Sequence, residues 1–214
     1  MSRRALRDIG KGLDLSACFR ELDELPRPLT SAALFGREAP LEVELGSGKG
    51  LFLSAAAAEQ PETNFLGIEV SLKYARHAAA RCAQRALTNA CVAHGDGLWV
   101  FRELIGPAKL AAVHVYFPDP WWKARHKKRR VMNAAFLADV ERTLAPGGTL
   151  HFWTDVEEYF QASLETIAAS TRLTGPLPVA ETPALDDLDY RTHFERRTRL
   201  AGLPVYRAEF RRMR

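Results

Sequence analysis

Cysteine is scarce in this chain of 214 residues. There are three, Cys18, Cys82 and Cys91, and they form no Cys-x-x-Cys or Cys/His ligand spacing. That pattern argues against a disulfide framework and a structural metal, and for a reducing compartment such as the cytoplasm. Long apolar runs are also missing. The longest candidate, Leu51 to Ala58, is far short of the roughly 20 residues a membrane helix needs. The N-terminal stretch MSRRALRDIGKGLDLS is basic but has neither an apolar core nor a small-residue cleavage pattern. Residues 1–30 are therefore expected to form a mobile arm, and 31–214 a single domain. No obligate protein partner is evident.

Acids are absent where bases concentrate. Lys123 to Arg130 holds six Lys or Arg in eight residues and no Asp or Glu. Residues 191–214 hold eight Arg against two Glu. The chain as a whole carries only +4, so the remainder is acidic and the positive charge is localised. Such placement suits a polyanion.

Hydrophobic periodicity alternates between strand and helix. Strands are predicted at 41–45, 64–69, 91–94, 110–117, 149–154 and 205–211. Helices are predicted at 50–60, 71–87, 98–104, 133–144, 156–168 and 192–200. This alternation predicts a Rossmann-like, doubly wound α/β fold. The stretch after Ser170, with three prolines and the acids Asp186, Asp187 and Asp189, reads as a surface loop.

The first strand runs into Glu44-Leu45-Gly46-Ser47-Gly48-Lys49-Gly50. Glycines at a strand-to-helix turn let a ligand come close to the backbone. Glu44 would repel a pyrophosphate at that helix start but suits a cationic ligand without phosphate. S-adenosylmethionine, with its ammonium and sulfonium groups, is such a ligand. Glu69 ends the second strand, where an acid holds ribose hydroxyls in this architecture. Asp96, between two glycines, fits an adenine contact or a simple turn equally well.

After the fourth strand comes Tyr116 to Arg130, YFPDPWWKARHKKRR. Prolines fix Asp119 on the rim that carries Glu44. Trp121 or Trp122 would stack on a nucleobase, and the basic run would grip phosphates. One of the two tryptophans is expected to be largely buried. The patterns Asp155-x-x-Glu158 and Thr192-x-x-Glu195 both fit capping boxes.

ELGSGKG, NFLGIE, FPDPWWKARHKKRR, Thr154-Asp155 and Thr192-His193-Phe194-Glu195, in that order, resemble the bacterial tRNA (guanine-N7-)-methyltransferases. The resemblance spans about residues 41–214. It implies a class I methyltransferase fold, with a mostly parallel seven-stranded sheet and an antiparallel C-terminal strand. It also implies S-adenosylmethionine as methyl donor without a metal, and the variable-loop guanosine at tRNA position 46 as target. Carried over by position, Glu44, Gly46, Gly48, Gly50, Glu69, Asp96 and Asp119 become cofactor contacts, and Asp119 also catalytic. Lys123, Asp155, Thr192, His193, Phe194 and Glu195 become guanosine contacts. Arg125, His126, Lys127, Lys128, Arg129 and Arg130 become RNA contacts. Trp122 departs from the pattern, which favours a smaller or polar residue there.

Overall fold

The computed structural model describes residues 9–179 and 190–213, the side chains of Ala124 and Lys127 excepted. The expectations for the acidic loop 181–189, the Lys127 side chain and residues 1–8 lie outside the described residues.

Eight strands form one sheet: β1 (Phe19–Glu21), β2 (Leu41–Leu45), β3 (Asn64–Glu69), β4 (Ala90–His94), β5 (Leu110–Tyr116), β6 (Leu144–Thr154), β7 (Thr174–Leu177) and β8 (Tyr206–Arg211). Their spatial order is β1-β4-β3-β2-β5-β6-β8-β7. The first six strands pair in parallel, and β8 runs antiparallel to both β6 and β7.

The helices are α1 (Ser31–Phe35), α2 (Leu51–Glu59), α3 (Leu72–Gln84), α4 (Gly97–Glu103), α5 (Ala134–Thr143), α6 (Glu157–Ser170) and α7 (His193–Leu200). Strand alternation splits the core in two. Leu41, Val43, Leu66, Ile68, Cys91 and Ala93 pack with Phe101, Phe136, Leu137 and Tyr159 of α4, α5 and α6. Phe65, Val92 and Tyr116 pack on the other face with Phe52, Leu53, Ala75 and Ala78 of α2 and α3. Helices thus cover both sides, as a parallel sheet requires.

The expected architecture holds, with eight strands rather than seven. The additional strand, β1, pairs Phe19–Glu21 with Val92–His94 of β4. Leu25 and Leu29 are buried, and Leu29 N–H donates to the Leu104 carbonyl at 3.1 Å. The N-terminal arm expected to reach residue 30 is corrected accordingly: residues 18–30 belong to the sheet and core, because the β4 edge and the apolar side chains both need covering.

Candidate active site

All the strands from β2 to β6 deliver their C-terminal ends to one rim. The pairing of Leu45 with Val115 and of Tyr116 with Trp153 puts the loops after β2, β5 and β6 side by side. The proline-bracketed aspartate therefore shares the rim with the glycine loop.

Glu44 is 3% exposed at the end of β2, and its Oε2 has no hydrogen-bond partner. Burial, then the neighbouring Glu69 charge, pushes its carboxyl up to about 8; Arg191 and a backbone N–H offset part of that. A buried, unpartnered carboxylate is expensive unless a cation meets it. Ser47 Oγ and Trp153 Nε1 are also buried without partners on this rim.

Glu69 organises the loop from the next strand. Its Oε2 accepts from Gly48 N–H and its Oε1 from Ser71 N–H, each at 2.8 Å. Gly46 and Gly48 have φ of +80° and +54°, and nothing built onto either would meet an atom closer than 4.0 Å. Gly50 differs: a Cβ there would sit 2.7 Å from the Ala78 side chain. Gly50, expected as a cofactor contact, serves helix packing against α3. Asp96 is exposed and caps α4, with Oδ1 accepting from Leu98 N–H at 2.9 Å.

The loop after β5 is held under strain. Phe117 and Trp121 have φ of +51° and +45°, rare for residues with a Cβ. Arg130 braces it from below: Nε donates to the Pro120 carbonyl at 2.8 Å, and the guanidinium lies 4.7 Å from the Tyr159 ring. Arg130 also lies 3.5 Å from Glu158 and is 9% exposed. The structure gives this residue, expected as an RNA contact, an internal bracing role. Charge composition alone does not tell which cation of a run turns inward. Asp119, Lys123, Arg125, Lys128 and Arg129 remain exposed, and His126 half-buried.

The tryptophans separate as expected. Trp121 is half-buried, under Arg129 at 5.1 Å and edge-on to His126 at 5.8 Å. Trp122 is 64% exposed beside the cations. We expect Trp122→Ala to weaken binding of single-stranded RNA by about tenfold, within the 1–3 kcal/mol of one base stack. Anisotropy of a labelled RNA titrated with variant and parent checks this.

Helix α7 closes the rim. Thr192 Oγ1 accepts from Glu195 N–H at 3.0 Å, capping α7, while Glu195 Oε2 accepts from Arg191 N–H at 2.7 Å rather than from the Thr192 N–H that a capping box would use. Glu195 is 2% exposed and pairs with Arg199 and Arg207 at 3.3 and 3.2 Å. It is an internal counter-ion, a role beyond the guanosine contact expected of it. Phe194 is half exposed and stacks on Phe117 at 6.2 Å between centroids. His193 is exposed on the same turn. Asp155 does not cap α6, whose N-cap is Val156. Thr154 Oγ1 takes the Val156 N–H instead, and Asp155 is exposed, with Oδ2 3.5 Å from Thr198 Oγ1.

Sequence reading overlooked Arg191. Its guanidinium lies 5.4 Å from the Phe52 ring and 5.5 Å from the Trp153 ring, and its charge is felt by Glu44. Its place just before Thr192-x-x-Glu195 was the available signal. Ser47 was also missed, inside the glycine motif itself. Beside this rim, the sheet face under α2 carries a polar row. His114 Nε2 meets Glu42 at 2.8 Å, His114 Nδ1 meets Tyr116 at 2.9 Å, and the His114 ring stacks on His151 at 4.6 Å. Burial lowers the affinity of both imidazoles for protons.

Comparisons with known proteins agree with this geometry. The family described as "Putative methyltransferase" matches residues 38–208. A tRNA (guanine-N(7)-)-methyltransferase of Rhodopirellula baltica is 46% identical over 99% of this chain and 80% of its own length. The chain belongs to the tRNA (guanine-N(7)-)-methyltransferase family. A second member of that family, from Bordetella pertussis, is 40% identical over 87% of this chain and 73% of its own. Among solved structures, the antibiotic-resistance methyltransferase Kmr has the same fold, with a TM-score of 0.55 and 16% identity, over 91% of this chain and 98% of that one. Among the described residues of this methyltransferase, no helix is long and apolar enough to cross a membrane, and no group of three or more metal-ligating side chains occurs.

Proposed function

We propose that this enzyme methylates N7 of the guanosine at position 46, in the variable loop of tRNA, without a general base. Transfer of a methyl group from S-adenosylmethionine to guanine N7 in tRNA is the activity of its family. The observation that carries the reading is the buried, unpartnered Glu44 carboxylate on the same rim as Asp119 and the basic run.

The rim fits the donor. Glu44 would meet a cationic group of S-adenosylmethionine, Glu69 and Asp96 its ribose and adenine, and Gly46 and Gly48 leave room beside the backbone. When bound, this donor supplies an electrophilic methyl group on a sulfonium.

The acceptor sets the rest of the mechanism. Guanine N7 has a lone pair and no proton, so no side chain has to remove one. Methylation leaves the purine positively charged. A carboxylate preorganised beside the ring stabilises that charge as it develops, and we assign this to Asp119. Phe194 on α7 offers a flat apolar surface to the base, with Lys123, Asp155, Thr192 and His193 around it. Arg125, His126, Lys128 and Arg129 take the phosphates. A tRNA substrate would be met in the cytoplasm, which is the compartment proposed for the enzyme.

Labelled methyl transfer to unmodified tRNA, followed by borohydride reduction and aniline cleavage, tests the reading. Chain scission at the single variable-loop guanosine is expected. Label incorporated without scission would remove N7 as the target, and scission elsewhere would remove position 46.

A further inference from the structure

Residues 70–95 contain Lys73, Arg76, Arg81 and Arg85 and no Asp or Glu. Most of them lie on α3, whose first turn has no acid, although the helix dipole favours acids there. Lys73 near the helix start works against the dipole, whereas Arg81 in the last turn suits it, so the cations at the start match a polyanion rather than the helix itself. A segment of chain lies along this helix: Gln84 Nε2 donates to the Ile9 carbonyl at 2.9 Å. Between the segment and the helix is an open cavity of about 820 Å³. Ile9, Leu13, Leu15, Phe19 and Leu72 give it apolar walls, and Lys11, Lys73 and Arg76 give it cations, with His77 on the same lining. The acid on its border, Asp14, accepts from Ser16 N–H at 2.8 Å. Arg76 lies 5.9 Å from the Phe19 ring.

The cavity is continuous in charge with the rim. His193 of α7 is exposed on one side; desolvation of its covered side, then the charges of Arg81, Lys49, His77 and Arg196, push it down to about 4. Cations of α3, the glycine loop and α7 therefore meet at the target site's border, away from the run after β5.

We propose that this cavity and the cationic face of α3 form a second tRNA contact, taking one nucleotide at a place on the RNA other than the target guanosine. Its apolar walls hold the base, and Lys11 and Lys73 hold the flanking phosphates. A volume of this size accommodates a nucleotide. The inference rests on tRNA being the substrate, as proposed above, and deepens that reading.

Fluorescence anisotropy with labelled unmodified tRNA tests it, across a salt series. Three variants are compared with the parent: a Lys11→Ala, Lys73→Ala double variant, Leu13→Ala, and Lys109→Ala as a control on an exposed site outside the cavity. The double variant is expected to bind about tenfold more weakly. Its salt slope should be shallower by about 1.4–1.8, the loss of two phosphate contacts. Leu13→Ala should weaken binding about threefold with the slope unchanged, and Lys109→Ala should behave as the parent. S-adenosylmethionine affinity and kcat at saturating tRNA should stay at parental values. Parental affinity and slope in the double variant would overturn the proposal. So would an equal loss in Lys109→Ala, or a loss confined to S-adenosylmethionine binding. A parent protein that leaves N7 of tRNA unmethylated would instead sink the functional reading, whatever the anisotropy shows.

Discussion

Replacing Glu44 with Gln weakens S-adenosylmethionine binding about 10- to 100-fold, the range expected for losing one buried charge-assisted hydrogen bond. It also removes a pH dependence whose sign follows from burial. With its carboxyl raised to about 8, Glu44 holds a proton at neutral pH in the free enzyme. A cationic ligand prefers the ionised form. Binding at pH 7 thus releases a proton, and affinity climbs by up to about tenfold per pH unit until pH 8, then levels. Calorimetry in buffers of different ionisation enthalpy reads the released proton directly. Glu44→Gln should release none.

The same shift predicts the stability of the free protein. Only the folded state keeps this proton above the ordinary glutamate value of 4.5. Stability therefore falls as pH rises from about 4.5 towards about 8 and is level above that. Saturating ligand restores it. An affinity that is flat between pH 6 and 8 in the parent would sink this account of Glu44. The dependence resides in binding, so kcat with both substrates saturating should stay flat through neutrality. A steep rise in that quantity would point to a deprotonation step and contradict base-free attack by N7.

Asp119→Asn is expected to lower kcat about 10²- to 10³-fold while tRNA affinity stays within about twofold of the parent. The magnitude is that of removing one preorganised electrostatic contact to a developing charge. The side chain keeps its shape and the prolines keep its backbone, so the loss should fall on the chemical step alone. Single-turnover methyl transfer, with tRNA binding measured separately, distinguishes the two quantities. A variant with normal single-turnover rate and weakened S-adenosylmethionine binding would confine Asp119 to holding the cofactor.

The sequence was most legible where periodicity was long and ends were marked. The Ala-rich α2 stopping before Pro61, and the strands Leu41–Leu45 and Asn64–Glu69, were all readable in this way. Three elements were not. β1 has three residues, α1 has five, and β7 contains Gly175 and Pro176, so none offers a repeat to detect. Each exists because tertiary contacts, not local preference, hold it. The same limit applies to the site. Motif spacing pointed to Glu44, Glu69 and Asp119 because strand ends converge by topology. It did not foresee the internal roles of Arg130, Glu195 and Gly50, which depend on what lies behind them: Tyr159, Arg207 and Ala78. Arg191 stood next to a recognised motif and still carried no pattern of its own.

The two borders of the sheet have a consequence for self-association. One is sealed by the three-residue β1, the other by the four-residue β7 with a proline inside it. Among the described residues, neither presents a long row of open backbone donors and acceptors for a foreign strand. Joining two copies edge to edge into a continuous ribbon is therefore disfavoured. Any dimer of this methyltransferase would have to form through side-chain surfaces, and crowding at high concentration should not seed β-rich fibres from these margins.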